Sequence, residues 1–397
     1  MKTKLFALAL ATGLFLNSCS SSDDPTPVTP PATGEITGTF TANKTYAYGN
    51  YTLKGIVKIN SGVTVTFEAG STITIDKATG DNALVVLKGG KLITQGTADK
   101  PVVFTEKSKL PGSWGGIIVY GDAPAKVAGG GTTGTSEDGN KISYGGTNAA
   151  DNSGSLVYTR VEYAGSKLAD GEKENNGFTF YSVGSGTTLD HLVSYKGADD
   201  GFEFFGGTVS MTNAISYGNY DDSFDWQDGW QGSTNTNWYA YQTGKGNYGM
   251  EIEASLNDNA FGPKISNITL KRAAGNVPEA NDNQVDAFQF KREGNGEYSN
   301  IIIDGYGNYT TTDGKTTYKG SAVSILDGVT NDHQVKTGKI KLLNVKITNT
   351  TNINPIGATD AIVVAFPTGT FVPSANATGA SLTAGAWATV DGVDLTK

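Results

Sequence analysis

Short runs of alternating apolar and polar residues, separated by glycine, follow one another along most of the chain. Residues 62–76 and 83–105 are two examples, in which valine, isoleucine and leucine alternate with threonine and other polar residues over lengths too short for a helix. Alternation with a period of two sends successive side chains to opposite faces of a strand. The pattern therefore predicts an all-β chain of many short strands, and leaves sandwich, barrel and solenoid architectures open.

One polar position recurs in the later runs and narrows this choice. When the runs are aligned by their apolar residues, one column contains His191, Asn213, Asn237, Asn267, Asn300 and Asn344. Stacked asparagine side chains hydrogen-bond from one coil to the next and relieve strained backbone at a bend. The column favours a single-stranded parallel β-helix, in which successive coils stack to form a solenoid.

A second column consists of triplets with an apolar, a polar and an apolar residue. In a strand, the two flanking side chains point inward and the middle one points outward. We therefore expect the aromatic residues of the triplets 202–204 and 224–226 to belong to the core. Coils stacked about 4.8 Å apart would align the middle residues in one outward file. This file contains Thr179, Glu203, Asp225, Glu251, Gln289 and Ser324.

The N-terminus has the composition of an export signal. Residues 1–18 contain two early lysines and then an apolar run that is too short to span a bilayer, which is typical of a signal peptide. The next residue, Cys19, is the single cysteine of the chain and follows "LNS", a sequence that resembles a bacterial lipobox. We predict that Cys19 carries the lipid of a lipoprotein, including palmitate.

Residues 19–35 are rich in serine, aspartate and proline and contain no large apolar side chain. Such a segment cannot bury enough surface to fold, so we predict a disordered tether, followed by one β-helix domain over residues 36–397. The "SSSDD" after Cys19 resembles the surface-export signal of Bacteroidota lipoproteins. This resemblance implies an anchor in the outer membrane, display on the cell surface, and a TonB-dependent receptor as a candidate partner. The alternative is an ordinary solvated linker.

The charge balance restricts the ligands that the domain can bind. The chain has 30 basic and 39 acidic residues, which gives a net charge of −9. This excess of negative charge argues against nucleic acid as a partner. Cations and neutral or basic molecules remain possible ligands of the domain.

The order of several motifs resembles a family of exported bacterial β-helix lipoproteins. The motifs are "GGKLITQGTADKPVVFT", "GSWGGIIVYGDAP", "YGGTNAADNSGSLVYTRVEYAG", "GSGTTLDHL", and "DDGFEFFGGTV" followed by "DDSFDWQDGWQG". The resemblance covers most of residues 50–235 and implies a right-handed, pectate-lyase-like β-helix. It implies no established activity and no catalytic residues.

The acidic coils contain the candidate site. Like charges on adjacent coils repel one another and raise each other's pKa unless a cation lies between them, and clustered carboxylate oxygens favour Ca²⁺. The candidate ligand-binding residues are Glu203, Asp225, Glu251, Asp228 and an exposed Trp230, and the candidate Ca²⁺ ligands are Asp199, Asp200, Asp221 and Asp222.

Three hypotheses about this region remain open. The aspartates could serve only as turn caps and the glutamates as a solvated face, in which case the protein would be a passive adhesin or envelope scaffold. The face could bind a glycan or another polar ligand, with or without Ca²⁺. A carboxylate pair, Glu203 and Asp225, could act as acid and base in a polysaccharide-cleaving enzyme. Residues 199–238 contain no lysine or arginine that could serve a lyase as base. The sequence favours binding over catalysis.

Overall fold

The structure is a computed structural model and describes residues 30–166, 175–258, 262–278 and 284–397. The predicted signal peptide, Cys19 and most of the tether lie outside these ranges. The first strand begins at Ala32, within the segment predicted to be a tether. The β-helix therefore starts slightly earlier than the composition suggests.

Short strands account for most of the regular structure in the described ranges. The first fourteen are β1 (Ala32–Phe40), β2 (Lys44–Tyr46), β3 (Gly49–Ile59), β4 (Thr64–Glu68), β5 (Thr72–Ile75), β6 (Ala83–Val86), β7 (Lys91–Gln95), β8 (Val102–Glu106), β9 (Ile117–Tyr120), β10 (Gly134–Thr135), β11 (Ser143–Tyr144), β12 (Gly154–Glu162), β13 (Phe178–Tyr181) and β14 (Thr188–Tyr195). The others are β15 (Phe202–Phe205), β16 (Met211–Tyr217), β17 (Phe224–Gln227), β18 (Asn235–Gln242), β19 (Met250–Ile252), β20 (Lys264–Arg272), β21 (Gln284–Phe290), β22 (Gly296–Asp304), β23 (Tyr309–Thr310), β24 (Thr317–Ile325), β25 (Ile340–Thr348), β26 (Ile356–Gly357), β27 (Phe371–Pro373), β28 (Thr389–Val390) and β29 (Val393–Asp394).

In the part of the chain that the structure describes, helical structure is limited to short turns. The turns are Lys77–Thr79, Ala128–Gly130, Gly328–Thr330, Asn331–Val335 and Ala386–Ala388. Within the described ranges, no helix has the length and apolar character needed to cross a membrane.

Strands from successive coils pair in parallel and form three faces. The first, which we call the cleft face, contains β6, β9, β13, β15, β17, β19, β21 and β24. The longer strands β12, β14, β16, β18, β20, β22 and β25 bend in the middle, so that their two halves form the second and third faces. The predicted parallel β-helix is thus confirmed.

The bend between the second and third faces lies at the predicted asparagine column. His191 and the five asparagines of the column all have φ between 54° and 59°, a conformation that asparagine tolerates better than most residues. The Nδ2 of Asn237 donates to the Oδ1 of Asn213 at 3.0 Å, and the Nδ2 of Asn344 donates to the Oδ1 of Asn300 at 3.2 Å. Asn213 and Asn267 donate instead to Asp190 and Thr236 of the preceding coil. The column is therefore the predicted structural ladder, with a neighbouring side chain as the acceptor at these two steps.

The interior of the β-helix contains a stack of aromatic rings that runs from coil to coil. Phe178 lies over Phe202 with ring centroids 5.1 Å apart, and Phe202 lies over Phe224 at 5.4 Å. The predicted core residues Phe204 and Trp226 are also buried. Because inward positions of adjacent coils are in register, each ring packs on the ring of the next coil, and each such pair contributes about 0.5–1.5 kcal/mol beyond its buried area.

Candidate functional site

The acidic residues of the middle file occupy adjacent coils of the cleft face. Glu203 of β15 pairs with Asp225 of β17, and Asp225 pairs with Glu251 of β19. Thr179 precedes Glu203 in this file and Gln289 follows Glu251. The predicted register is confirmed, and the three carboxylates come from consecutive coils.

A second outward file lies two residues after the middle file on each coil and places cations beside the acidic residues. In this file Glu253 follows Glu251, and Lys291 follows Gln289. Lys291 follows β21, and its Nζ lies 2.6 Å from the Oε2 of Glu251 and 3.7 Å from the Oε2 of Glu253. The Nε of Arg292 lies 3.4 Å from the same oxygen of Glu253. Burial alone would lower the pKa of Lys291, but the charges of Glu251 and Asp225 raise it above its ordinary value. The sequence reasoning missed both cations.

A loop over residues 121–153, which we call the covering loop, closes the site on one side. The backbone N–H of Lys126 donates to the carbonyl of Asp228 at 2.8 Å, and the Tyr144 hydroxyl donates to the Asp228 carboxylate. Between this loop and the cleft face lies a cleft of about 630 Å³. Lys291 and Arg292 are the cations among its described lining residues. Its eleven acidic residues are Glu137, Asp138, Asp199, Asp200, Glu203, Asp221, Asp222, Asp225, Asp228, Glu251 and Glu253.

Asp225 lies at the centre of the file and is only 7% exposed. Its Oδ1 is buried and has no hydrogen-bond partner among the described residues. Burial, followed by the charges of Glu251 and Glu203, raises the pKa of Asp225 well above its ordinary range. Because a buried, unpaired carboxylate is costly, this atom requires either a proton or a cation.

Glu203 is held by side-chain amides. Its Oε2 accepts a hydrogen bond from the Nδ2 of Asn176 at 2.6 Å, and its Oε1 accepts one from the Nε2 of Gln227 at 3.2 Å. These donors come from the preceding and following coils. They fix the orientation of the carboxylate toward the cleft without neutralising its charge.

The aspartate pairs support the backbone at the corner of each coil. The Asp200 carboxylate accepts a hydrogen bond from the backbone N–H of Asp222 at 2.8 Å, and the Asp222 carboxylate accepts one from the backbone N–H of Tyr248, also at 2.8 Å. Burial, followed by the charge of the adjacent aspartate, raises the pKa of both groups. The turn-capping hypothesis therefore describes one role of Asp200 and Asp222.

Two groups of three carboxylates could also hold a metal ion, and they share Asp200. Carboxylate oxygens of Asp199, Asp200 and Asp221 lie within 4.8 Å of one another, and the same is true of Asp200, Glu203 and Asp225. Three of the four predicted metal ligands are thus brought together, and Asp222 lies outside both groups. Among its described residues, the cleft lining contains no histidine or cysteine, and its carboxylate oxygens suit Ca²⁺ better than a softer metal.

Asp228 lines the cleft but is already engaged. Its carboxylate accepts hydrogen bonds from the hydroxyls of Tyr144 and Ser255. Burial raises the pKa of Asp228 above its ordinary value. These contacts connect the covering loop to the coil that contains β19, so Asp228 helps to shape the cleft.

Trp230 is not the exposed ring that the sequence suggested. It is 1% exposed, its Nε1 donates to the carbonyl of Val209 at 3.0 Å, and its ring stacks on Phe204 with centroids 4.5 Å apart. The two preceding residues, Asp228 and Gly229, have φ of 53° and 73° and turn the chain, so that the indole returns to the interior. The predicted role of Trp230 in ligand stacking is therefore wrong.

The stacked coils and the acidic cleft define a parallel β-helix protein with a polar groove on one face. The chain belongs to the pectate-lyase-like β-helix domain family, which matches residues 37–390. Members of this family often act on polysaccharides. A family 28 exopolygalacturonase of Yersinia enterocolitica is similar at 10% identity, over 85% of this chain and 73% of that chain, with a TM-score of 0.24. The search of curated proteins found no significant match.

Proposed function

We propose that the acidic cleft binds Ca²⁺ and that the bound ion joins the cleft to a polysaccharide. The observation that carries this proposal is the buried and unpartnered Oδ1 of Asp225. Asp225 also belongs to a group of three carboxylates that each have one oxygen close enough to the others to share one ion. A divalent cation would pair this oxygen and reduce the repulsion between neighbouring coils.

The residues present fit a calcium ion. Asp200, Glu203 and Asp225 would supply carboxylate oxygens, and Asp199 and Asp221 would supply more on the adjacent corner. Calcium accepts six to eight oxygen ligands in flexible geometry and often retains open positions for water or ligand. Those positions would allow hydroxyl or carboxylate groups of a sugar to reach the ion.

The polysaccharide part of the proposal is supported by the family, and the lining of the cleft indicates which contacts would hold such a ligand. The rings of Tyr144 and Tyr181 lie at the cleft but are only 5% and 1% exposed. They offer little surface on which a sugar could stack. A ligand in this cleft would therefore depend on polar and ionic contacts, which a bound cation would supply.

The proposal predicts that Ca²⁺ raises the melting temperature of the protein and that Asp225→Asn reduces this effect. A ligand that binds only the folded state stabilises it by about 2.7 kcal/mol at a hundredfold excess over its Kd. Without Ca²⁺, the variant should be more stable than the wild type at neutral pH, because a buried asparagine needs neither a proton nor a cation. Melting curves in EDTA and in increasing Ca²⁺ test both expectations.

Asp304→Asn provides the matched control. Asp304 is half-buried in β22 and accepts hydrogen bonds from Thr348 and Asn349, so it does not belong to the cleft. The control should keep the full response to Ca²⁺. A melting temperature that does not change with millimolar Ca²⁺, or that changes equally in Asp225→Asn, would refute the metal site.

A second candidate function is cleavage of the bound polysaccharide, and one observation favours it. Lys291 lies beside Glu251, so an ammonium group and raised-pKa carboxyl groups occupy the same cleft. A carboxyl group that keeps its proton could act as acid, and the Lys291 ammonium, whose raised pKa makes it unsuitable as a base, could orient the substrate. Incubation of the calcium-loaded protein with a panel of polysaccharides separates the two candidates. Released oligosaccharides that disappear in Lys291→Met support cleavage, whereas calcium-dependent binding without products supports the binding function.

We also propose that the protein is anchored in the outer membrane through lipid on Cys19 and faces the cell surface. The lipobox-like residues before Cys19 and the acidic run after it support this location. The full-length protein should partition into the detergent phase, and Cys19→Ala should move it into the aqueous phase. Equal partitioning of the two would contradict the anchor.

A further inference from the structure

Arg272 is a buried cation that does not line the acidic cleft. It is the last residue of β20 and points into the solenoid, because Ile268 and Leu270 point inward and alternate positions of a strand share a face. Arg272 is only 5% exposed. Burial lowers the pKa of Arg272 to about 10, so the guanidinium stays charged at neutral pH. Because a buried charge is costly, its hydrogen bonds must offset that cost.

Arg272 contacts the backbone carbonyls of a single loop. Residues 243–249, which we call the corner loop, connect β18 to β19. The Nη1 of Arg272 donates to the carbonyl of Gly246 at 2.8 Å and to that of Asn247 at 3.3 Å. It also donates at 3.1 Å to the Oε1 of Gln242, whose Nε2 donates at 3.0 Å to the next carbonyl of the loop. The two side chains therefore hold three consecutive carbonyls of the corner loop from inside the solenoid.

The outer side of the corner loop contacts the aspartates of the cleft. The backbone N–H of Asn247 donates to the carbonyl of Asp221 at 2.9 Å, and the Nδ2 of Asn247 donates to the Asp221 carboxylate. The backbone N–H of Tyr248 donates to the Asp222 carboxylate at 2.8 Å, and the backbone N–H of Asp222 donates to the Asp200 carboxylate. Asp200 and Asp221 belong to one of the groups that could hold a metal ion. The corner loop thus connects the buried guanidinium to candidate calcium ligands.

The corner loop depends on side-chain donors because it is not a strand of the sheet. β18 ends at Gln242 and β19 begins at Met250, and within the described ranges one isolated bridge, between Lys245 and Val277, pairs the loop with a neighbouring coil. A guanidinium has five N–H groups in a fixed plane and can satisfy several carbonyls at once. An apolar side chain at this position would leave those carbonyls unsatisfied in the interior, which is costly.

We propose that Arg272 is a positioning residue for the calcium site and acts on it through the corner loop. The inference rests on the proposed binding of Ca²⁺ in the cleft. Groups that orient metal ligands without touching the metal change the metal affinity about ten- to a hundredfold when they are removed. Here the path runs from a guanidinium inside the solenoid, through the N–H groups of the corner loop, to carboxylates on the outer surface.

Calcium titration by calorimetry compares the wild type with Arg272→Met, which keeps an unbranched side chain but loses the donors. We expect the Kd for Ca²⁺ to rise about tenfold in this variant. Arg272→Lys keeps the charge but lacks the planar set of donors, so its Kd should rise less.

Arg160→Met is the matched control. The Nη1 of Arg160 also donates to backbone carbonyls, those of Ala386 at 2.8 Å and Trp387 at 3.2 Å, and none of these residues lines the cleft. This variant removes a comparable set of hydrogen bonds elsewhere in the solenoid. It should therefore keep the wild-type Kd for Ca²⁺.

Hydrogen exchange in EDTA measures the position of the corner loop without calcium. The peptide that contains residues 243–249 should exchange faster in Arg272→Met, because the amides of Asn247 and Tyr248 are no longer held against their acceptors. In Arg160→Met the same peptide should exchange at the wild-type rate.

The outcomes separate this inference from the calcium proposal. A wild type that does not bind Ca²⁺ would refute the calcium site, and the inference with it. Calcium binding by the wild type, together with an unchanged Kd or unchanged exchange of the corner loop in Arg272→Met, would overturn the inference alone. Circular dichroism melting shows whether each variant is folded. If Arg272→Met does not fold, a wild-type Kd and wild-type exchange in Arg272→Lys would overturn the inference.

Discussion

Replacement of Trp230 by alanine is expected to lower the free energy of unfolding by about 3–5 kcal/mol, the cost of removing a large buried aromatic side chain. The indole fills the interior between Phe204 and Trp226, with ring centroids 4.5 Å and 5.3 Å away. It also satisfies the carbonyl of Val209. Because the surrounding coils are held by hydrogen bonds along the whole solenoid, they cannot collapse fully into the cavity. Denaturant unfolding, followed by tryptophan fluorescence, measures the loss.

Trp230→Phe serves as the matched variant. Phenylalanine keeps most of the ring packing but leaves the Val209 carbonyl without its donor, so a smaller loss of about 1–3 kcal/mol is expected. Both variants, where folded, should retain calcium and polysaccharide binding in the cleft. The opposite result, full stability with loss of binding, would show that Trp230 is a ligand-stacking residue after all.

The sequence predicts the fold well because a β-helix repeats two simple periods. Alternation along each strand fixes which residues point inward, and parallel register fixes which residues become neighbours on the next coil. Asn237 and its column, and Glu203 with Asp225, follow from these two rules alone. Neither rule depends on the lengths of the loops that separate the coils.

The positions of Lys291 and Arg292 and the path of the covering loop are not predicted by these two rules. Lys291 and Glu253 lie one residue beyond the apolar–polar–apolar triplets of β21 and β19, so the triplet pattern does not include them. The contact between Tyr144 and Asp228 joins residues 84 positions apart in sequence. It depends on the path of a long loop that has no repeat. Trp230 was misplaced for a related reason, since a turn with positive φ at Asp228 breaks the alternation just before it.

The acidic cleft also makes the stability of the protein depend on pH. Burial raises the pKa of Asp200, Asp222 and Asp225 well above their ordinary range, and it raises the pKa of Glu253 as well. The folded state therefore holds protons that the unfolded chain has already released. Above about pH 4 the unfolded carboxylates ionise first, so the free energy of unfolding falls as the pH rises toward the folded-state pKa values.

Asp286, a buried acid that does not line the cleft, adds to this dependence on pH. Asp286 is 1% exposed, its Oδ2 has no partner among the described residues, and burial raises its pKa from 3.8 to about 7. Between pH 5 and the folded-state pKa of about 7, each pH unit lowers the free energy of unfolding by about 1.4 kcal/mol. Asp286 alone should therefore lower the free energy of unfolding by roughly 3 kcal/mol between pH 5 and pH 8. Calcium bound in the cleft would not reverse this loss of stability, because Asp286 does not line the cleft.

The two contributions can be separated by unfolding the protein at pH 5 and pH 8, in EDTA and in Ca²⁺. In EDTA the wild type should be less stable at pH 8 by several kcal/mol, of which roughly 3 come from Asp286. Saturating Ca²⁺ at pH 8 should restore the stability that is lost through the cleft carboxylates, because the bound ion replaces the protons that these carboxylates would otherwise need. Asp286→Asn should remove the remaining difference in stability between pH 5 and pH 8, both in EDTA and in Ca²⁺. A wild type whose stability in EDTA rises from pH 5 to pH 8 would contradict the raised pKa values, because paired or solvated carboxylates would then dominate the titration.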